Sequence, residues 1–89
     1  NLYMSLNVNV VDANNLIWKG ECEFVVAPSA DGEIGIYSGH VPVLSILKKG
    51  TVTIRENENK QFDIKISKGF ISVDSDNIEI TVESAEIIK

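Results

Sequence analysis

The residues that could perform acid–base or nucleophilic chemistry in this sequence are grouped around its single histidine, His40. A catalytic interpretation makes His40 a general base, oriented by Asp31 or Glu33. Ser38 or Ser45 would then be the nucleophile. No strained Gly-x-Ser-x-Gly turn accompanies these residues, so we favour a loop histidine that hydrogen-bonds a turn or contacts a partner. One histidine and one cysteine also fall short of the usual ligand set of a zinc site.

Carboxylates two residues apart could indicate a glycosidase or a calcium loop, but their context favours solvated strand faces and polar turns. The turn at residues 74–77 lacks the glycine of a calcium loop, and Glu79 comes too early to be its bidentate ligand. The glycines at 32, 35 and 39 are spaced wrongly for a nucleotide-binding loop. We therefore predict no catalytic residue, no bound metal and no cofactor. The carboxylate pairs are Glu21/Glu23, Glu56/Glu58 and Asp74/Asp76.

Length and charge limit the class of protein. Eighty-nine residues fit one small domain, and the 8 Lys+Arg against 13 Asp+Glu give a net charge of −5. That charge disfavours nucleic acid and anionic membrane as partners, and no apolar run approaches a membrane span. The lone Cys22 excludes an internal disulfide framework, which suits a reducing compartment. We interpret residues 1–3 as a tag remnant before a natural start at Met4.

Alternation of apolar and polar residues predicts strands in the first half of the chain. Residues 6–10 are predicted to form a half-buried strand, and a second strand that runs back beside it is predicted to begin at Leu16. Cys22, Phe24 and Val26 then alternate with glutamates until Pro28 stops the ladder. A short glycine-bounded strand follows at 32–36. The apolar run 43–47 has the length of a strand rather than a helix.

The second half alternates more regularly, with a hairpin connection at 56–59 and a turn at 74–77. No amphipathic helix of ten or more residues is visible. About eight short strands with turns at near-regular spacing predict an all-β sandwich or flattened barrel, mostly antiparallel. The strands of this half are predicted at 51–55, 61–66, 70–73 and 78–83.

Several motifs together resemble the N-terminal domain of the epsilon subunit of F-type ATP synthase. Their order and spacing match the family from about Leu6 to Glu86. One departure is Lys68, where the family usually has a glycine before Gly69, and this change is expected to alter one strand turn. The motifs are Gly-Glu-Ile-Gly-Ile at 32–36, Gly-His-Val-Pro at 39–42, Leu-Lys-Lys-Gly at 47–50, Gly-Phe-Ile-Ser-Val at 69–73, and Ile-Thr-Val at 80–82 leading into Ser-Ala-Glu at 84–86.

The resemblance implies a β-sandwich of about ten strands, here spanning residues 4–86. It also implies a place in the central stalk, bound to the gamma subunit and the c-ring, where the domain helps couple proton flow to ATP synthesis without chemistry of its own. By the family's pattern, the loop with Asp31, Gly32, Glu33 and Ile34 would meet the c-ring, and His40 and Ser45 would lie toward gamma.

The resemblance further implies a peripheral protein on the cytoplasmic face of a bacterial inner membrane, with a plastid thylakoid as the less favoured location. Family members typically continue beyond Glu86 into a two-helix domain. We expect either a chain cut at that junction or a naturally short subunit, and no nucleotide bound by these 89 residues. Two alternatives stay open, a generic β-sandwich adaptor and a small hydrolase that uses His40.

Overall fold

The computed structural model describes residues 5–88, so the interpretation of residues 1–3 and of Met4 concerns positions outside that range. Within it the chain forms ten strands and no helix, and therefore no helix that could cross a membrane. The strands are β1 (Leu6–Val11), β2 (Leu16–Cys22), β3 (Phe24–Ser29), β4 (Gly32–Tyr37), β5 (Val43–Leu47), β6 (Gly50–Asn57), β7 (Lys60–Ile66), β8 (Gly69–Asp74), β9 (Asn77–Val82) and β10 (Ala85–Ile88).

The strands form one sheet that folds back on itself as a flattened barrel. Their order is β10-β7-β6-β3-β5-β8-β9-β1-β2, and β4 pairs with the remaining side of β3. All pairings are antiparallel except that of β1 with β9. At its start β3 pairs with β6, and at its end Ser29 pairs with Leu47 of β5. These findings confirm the predicted all-β, mostly antiparallel architecture.

Period-two alternation builds the core, because every second side chain of most strands points inward. Val52 and Ile54 of β6 are fully buried, as are Ile71 of β8 and Ile80 of β9. Burying one such side chain contributes about 1.5–3 kcal/mol relative to leaving it exposed. The polar residues between them face solvent, so the hydrophobic effect determines which face of each strand turns inward.

Two expectations about the first half are wrong. The first is that Cys22, Phe24 and Val26 would share one face of a strand. Cys22 is buried, but Phe24 and Val26 lie on the outer face and are half-buried. The buried residues after Glu23 are instead Val25 and Ala27. The change occurs because β2 pairs with β1 whereas β3 pairs with β4 and β6, and the interruption between the two strands shifts the alternation by one residue.

Pro28 does not end its strand, as had been expected from its missing N–H. It is buried, it pairs with Glu33 of β4, and β3 continues to Ser29. Its carbonyl accepts a hydrogen bond from the Lys48 N–H at 2.9 Å. A proline is tolerated at this point because the other side of β3 carries only isolated pairing near its end.

Other outcomes refine the prediction. Residues 43–47 form β5, as expected, and the hairpin connection after β6 narrows to Glu58 and Asn59. The strand β10, which pairs with β7, continues to Ile88. Lys68 lies in the turn before β8, where its exposed ammonium is 3.8 Å from the Glu83 carboxylate, and an effect of this residue on the turn stays a prediction.

Candidate protein-interaction site

The first candidate region is the tight turn between β3 and β4, which we call the acidic tip (residues 31–34). Ser29 pairs with Gly32, and the turn between them is stabilised by the Asp31 N–H, which donates to the Ser29 hydroxyl at 3.3 Å. Gly32 has a φ of +127°, a conformation that favours glycine. Asp31, Gly32 and Glu33 are exposed, whereas Ile34 is half-buried against the core. The tip therefore projects two carboxylates from a well-anchored hairpin.

A second turn lies beside the acidic tip and carries the opposite charge. The Ala30 N–H donates to the Ile46 carbonyl, and the Lys48 N–H donates to Pro28, each at 2.9 Å. These bonds place the exposed Lys48 and Lys49 next to the tip. Sequence reasoning missed this neighbour, since the lysines are 17 residues or more from Asp31 and only the pairing of β3 with β5 brings them together.

The second candidate region is the His40 loop (residues 38–42), which joins β4 to β5. Gly39 has a φ of +86°, and the His40 N–H donates to the Tyr37 carbonyl at 3.2 Å, which is typical of a type II turn. The His40 Nδ1 lies 2.7 Å from the Val41 carbonyl. A carbonyl only accepts, so Nδ1 is the donor of this bond. Val41 is 70% exposed, which gives the loop an apolar side chain.

A carboxylate from another hairpin holds the start of the His40 loop. The Ser38 hydroxyl donates to Asp76 Oδ2 at 2.7 Å, and the Gly39 N–H donates to Asp76 Oδ1 at 2.8 Å. The Gly39 N–H and the Ser38 hydroxyl lower the pKa of Asp76 below its ordinary value, since both stabilise the carboxylate. Nothing in the sequence signals that residue 76 and residues 38–39 meet.

Strand β5 presents different side chains on its two faces. Ser45 points inward, where its hydroxyl lies 2.9 Å from that of Ser29. Leu44 and Ile46 point outward and are 72% and 66% exposed. Phe70 of β8 stands opposite Ile46 and is also exposed. We call Leu44, Ile46 and Phe70 the apolar strip; it begins two residues after the His40 loop ends.

The two candidate regions lie at opposite ends of β4, about 17 Å apart for a strand of this length. Asp31 and Glu33 therefore do not orient His40. The Ser38 hydroxyl bonds Asp76 and that of Ser45 bonds Ser29, so the structure does not assemble the catalytic group that a hydrolase using His40 requires.

The cysteine and the possible metal ligands do not form a reactive site either. Cys22 is buried, and desolvation raises the pKa of its thiol to about 11, which suppresses the thiolate. Within residues 5–88 no three His, Cys, Asp or Glu side chains converge as metal ligands would. What the geometry offers is a small β-sandwich with exposed candidate regions at its two ends.

Comparison with known proteins identifies the family. Residues 5–88 match the family described as ATP synthase, Delta/Epsilon chain, beta-sandwich domain. The chain belongs to that family, which confirms the resemblance carried by the sequence motifs. Two solved structures share the fold: a chain of the Euglena gracilis mitochondrial ATP synthase (TM-score 0.89, 19% identity, 98% of this chain and 56% of that one) and a chain of the Tetrahymena thermophila central stalk and c-ring (0.76, 18%, 93% and 66%).

Bacterial relatives named ATP synthase epsilon chain are considerably more similar in sequence. The protein of Streptomyces griseus is 39% identical over 82 residues, which are 92% of this chain and 66% of that protein. The protein of Acaryochloris marina is 39% identical over 93% of this chain and 59% of that protein. The chain thus spans about three fifths to two thirds of these relatives. It spans 90% of the Micrococcus luteus protein, which is 38% identical.

Proposed function

We propose that this chain acts in the epsilon subunit of a proton-translocating F-type ATP synthase, where it binds the gamma subunit and the c-ring. In this role it helps couple proton flow to ATP synthesis and performs no chemistry itself. It would lie at the cytoplasmic face of a bacterial inner membrane as a peripheral protein. The observation that carries the proposal is the family match, which extends over every residue that the structure describes.

The acidic tip suits a contact with polar loops of a c-ring that carry basic side chains, which its carboxylates would attract. Its carboxylates are exposed and project from a hairpin that is hydrogen-bonded to the neighbouring turn. Because Lys48 and Lys49 lie beside the tip, this end presents both charges over a short distance. Such a pattern determines orientation and register more than affinity, since a solvent-exposed ion pair contributes only about 0–1 kcal/mol.

The His40 loop and the apolar strip suit a contact with gamma. Val41, Leu44 and Ile46 are each at least 66% exposed, and Phe70 extends the strip onto the next strand. Exposed apolar side chains that cluster in this way mark interaction surfaces. Ser45, which the resemblance assigns to gamma, lies on the same strand with its side chain inward. We therefore expect its neighbours Leu44 and Ile46 to supply the larger share of the binding energy.

Reversing the charge of the tip tests the c-ring contact. In Glu33→Arg we expect weaker ATP-driven proton pumping by the reconstituted complex, because a like-charge contact would replace an attractive one. The isolated chain should keep its stability within about 0.5 kcal/mol, since Glu33 is exposed. Glu58→Arg is the matched control. Glu58 is also an exposed carboxylate, but it lies in the turn after β6, at the end of that strand that is far from the acidic tip.

The assay pairs proton pumping with thermal unfolding of each variant. Reduced pumping in Glu33→Arg with unchanged unfolding, and normal pumping in Glu58→Arg, would support the proposal. Equal pumping in both variants would refute the contact at the tip. Co-purification with gamma and c subunits separates the stalk role from that of a generic β-sandwich adaptor, which would be recovered without them.

A further inference from the structure

The hairpin between β8 and β9 has a turn whose residues are unusual for its geometry. Asp74 pairs with Asn77, which leaves Ser75 and Asp76 as a two-residue turn. Their φ angles are +52° and +65°, as a type I′ turn requires. The second of these positions is most often glycine, as in the Asn-Gly and Asp-Gly turns, because a side chain crowds the backbone there. A glycine at 76 would satisfy the turn, so the aspartate calls for another reason.

That reason lies in what the Asp76 carboxylate contacts. Both of its oxygens accept hydrogen bonds from the start of the His40 loop, one from the Ser38 hydroxyl and one from the Gly39 N–H, at 2.7 and 2.8 Å. Hydrogen bonds to an ionised acceptor are stronger than neutral ones. The backbone carbonyl of Asp76 also accepts from the Asn7 N–H at 2.8 Å, which ties the same turn to β1.

From this geometry we infer that Asp76 is a positioning residue: it holds the His40 loop in the conformation that meets the gamma subunit. The loop has few other constraints: its own turn carries the His40 N–H bond to Tyr37 and the His40 Nδ1 bond to Val41, and Val41 and Pro42 are exposed. The inference rests on the proposed function, because it takes gamma as the partner of this loop. A preordered loop loses less conformational freedom on binding, which raises affinity.

Asp76→Gly is the decisive variant, because glycine suits the turn while the carboxylate is lost. Ser75→Gly is the matched control: it relaxes the same turn and keeps the carboxylate. Ser38→Ala removes one of the two bonds and gives a second, independent perturbation. Two quantities are measured for each variant, the hydrogen-exchange rate of the Gly39 amide in the free chain and the Kd for the gamma subunit.

We expect Asp76→Gly to accelerate exchange of the Gly39 amide and to raise the Kd for gamma, each by about tenfold. Ser38→Ala should give a smaller change in both quantities. Ser75→Gly should leave both within about twofold. This pattern, with both glycine variants fully folded at the assay temperature, would establish that the carboxylate orders the loop for binding.

His40→Ala distinguishes failure of this inference from failure of the proposed contact. If His40→Ala weakens gamma binding and Asp76→Gly does not, the positioning role is refuted and the loop contact stands. If neither weakens binding, the loop is not a gamma contact and the inference falls with it. If Asp76→Gly weakens binding without faster Gly39 exchange, the carboxylate touches gamma directly, which also overturns a positioning role.

Discussion

Gly69→Ala should destabilise the fold more than any other glycine-to-alanine change in a strand. Gly69 begins β8 and pairs with Leu47 on one side and Val82 on the other. A Cβ at this position would collide with the Thr81 carbonyl oxygen and lie 2.7 Å from the Val82 Cα. Both obstacles are backbone atoms of β9, so relief requires the two paired strands to separate.

The size of the effect follows from that geometry. Overpacking in a well-filled interior costs about 1–3 kcal/mol, and more when no side chain can move aside. We therefore expect a loss of about 3 kcal/mol or more, out of the about 5–15 kcal/mol typical of a whole domain. For a domain of this length, each kcal/mol lowers the melting temperature by about 4–8 °C, which predicts a decrease of about 12–24 °C.

Thermal and urea unfolding followed by circular dichroism measure this loss, with Gly35→Ala as the control. A Cβ on Gly35 would meet only the Phe24 ring edge, at 3.3 Å, and that half-buried side chain can turn aside. Its cost should stay below about 1 kcal/mol. Two results would refute the close approach of β8 and β9: a Gly69→Ala protein that melts within a few degrees of the parent chain, or one whose melting temperature equals that of Gly35→Ala.

Two predictions concern titratable groups. Cys22, with a thiol pKa of about 11 and a buried side chain, should react with iodoacetamide at pH 8 far more slowly in the native chain than in urea; equal rates would contradict its burial. Asp76, whose pKa is lowered in the folded state, stabilises the fold above its unfolded pKa, and this contribution is lost as the pH falls through the folded pKa. NMR titration should therefore place its midpoint below 3.8, and a midpoint at or above 3.8 would contradict the bonds to Ser38 and Gly39.

Local alternation by itself predicted most strands and their inward faces. Val52 and Ile54, or Ile78 and Ile80, are separated by one polar residue, and a strand must place such a pair on one side. Because burial of those side chains is the largest favourable contribution to folding, the pattern specifies which face of each strand turns inward. The family motifs added the expected partners and the residues of the two contact regions.

Features of β3 that depend on which strands it pairs with could not be predicted from the sequence. Whether Phe24 or Val25 faces inward is determined by the interruption at Glu23, where the chain leaves β2 and pairs with a new neighbour. Pro28 continues its strand because it pairs with Glu33 of β4, while the other side of β3 has little pairing there that would need the missing N–H.

Some residues of the candidate site are recognisable from the sequence, whereas others are brought to it only by the fold. The exposed carboxylates of the acidic tip and the glycine of the His40 loop are visible in the sequence as turn residues. The lysines beside the tip are 17 residues or more away along the chain, and Asp76 is 37 residues from the amide that it accepts. Contacts of such separation form only when the sheet closes, because no local preference of the backbone brings their atoms within hydrogen-bonding distance.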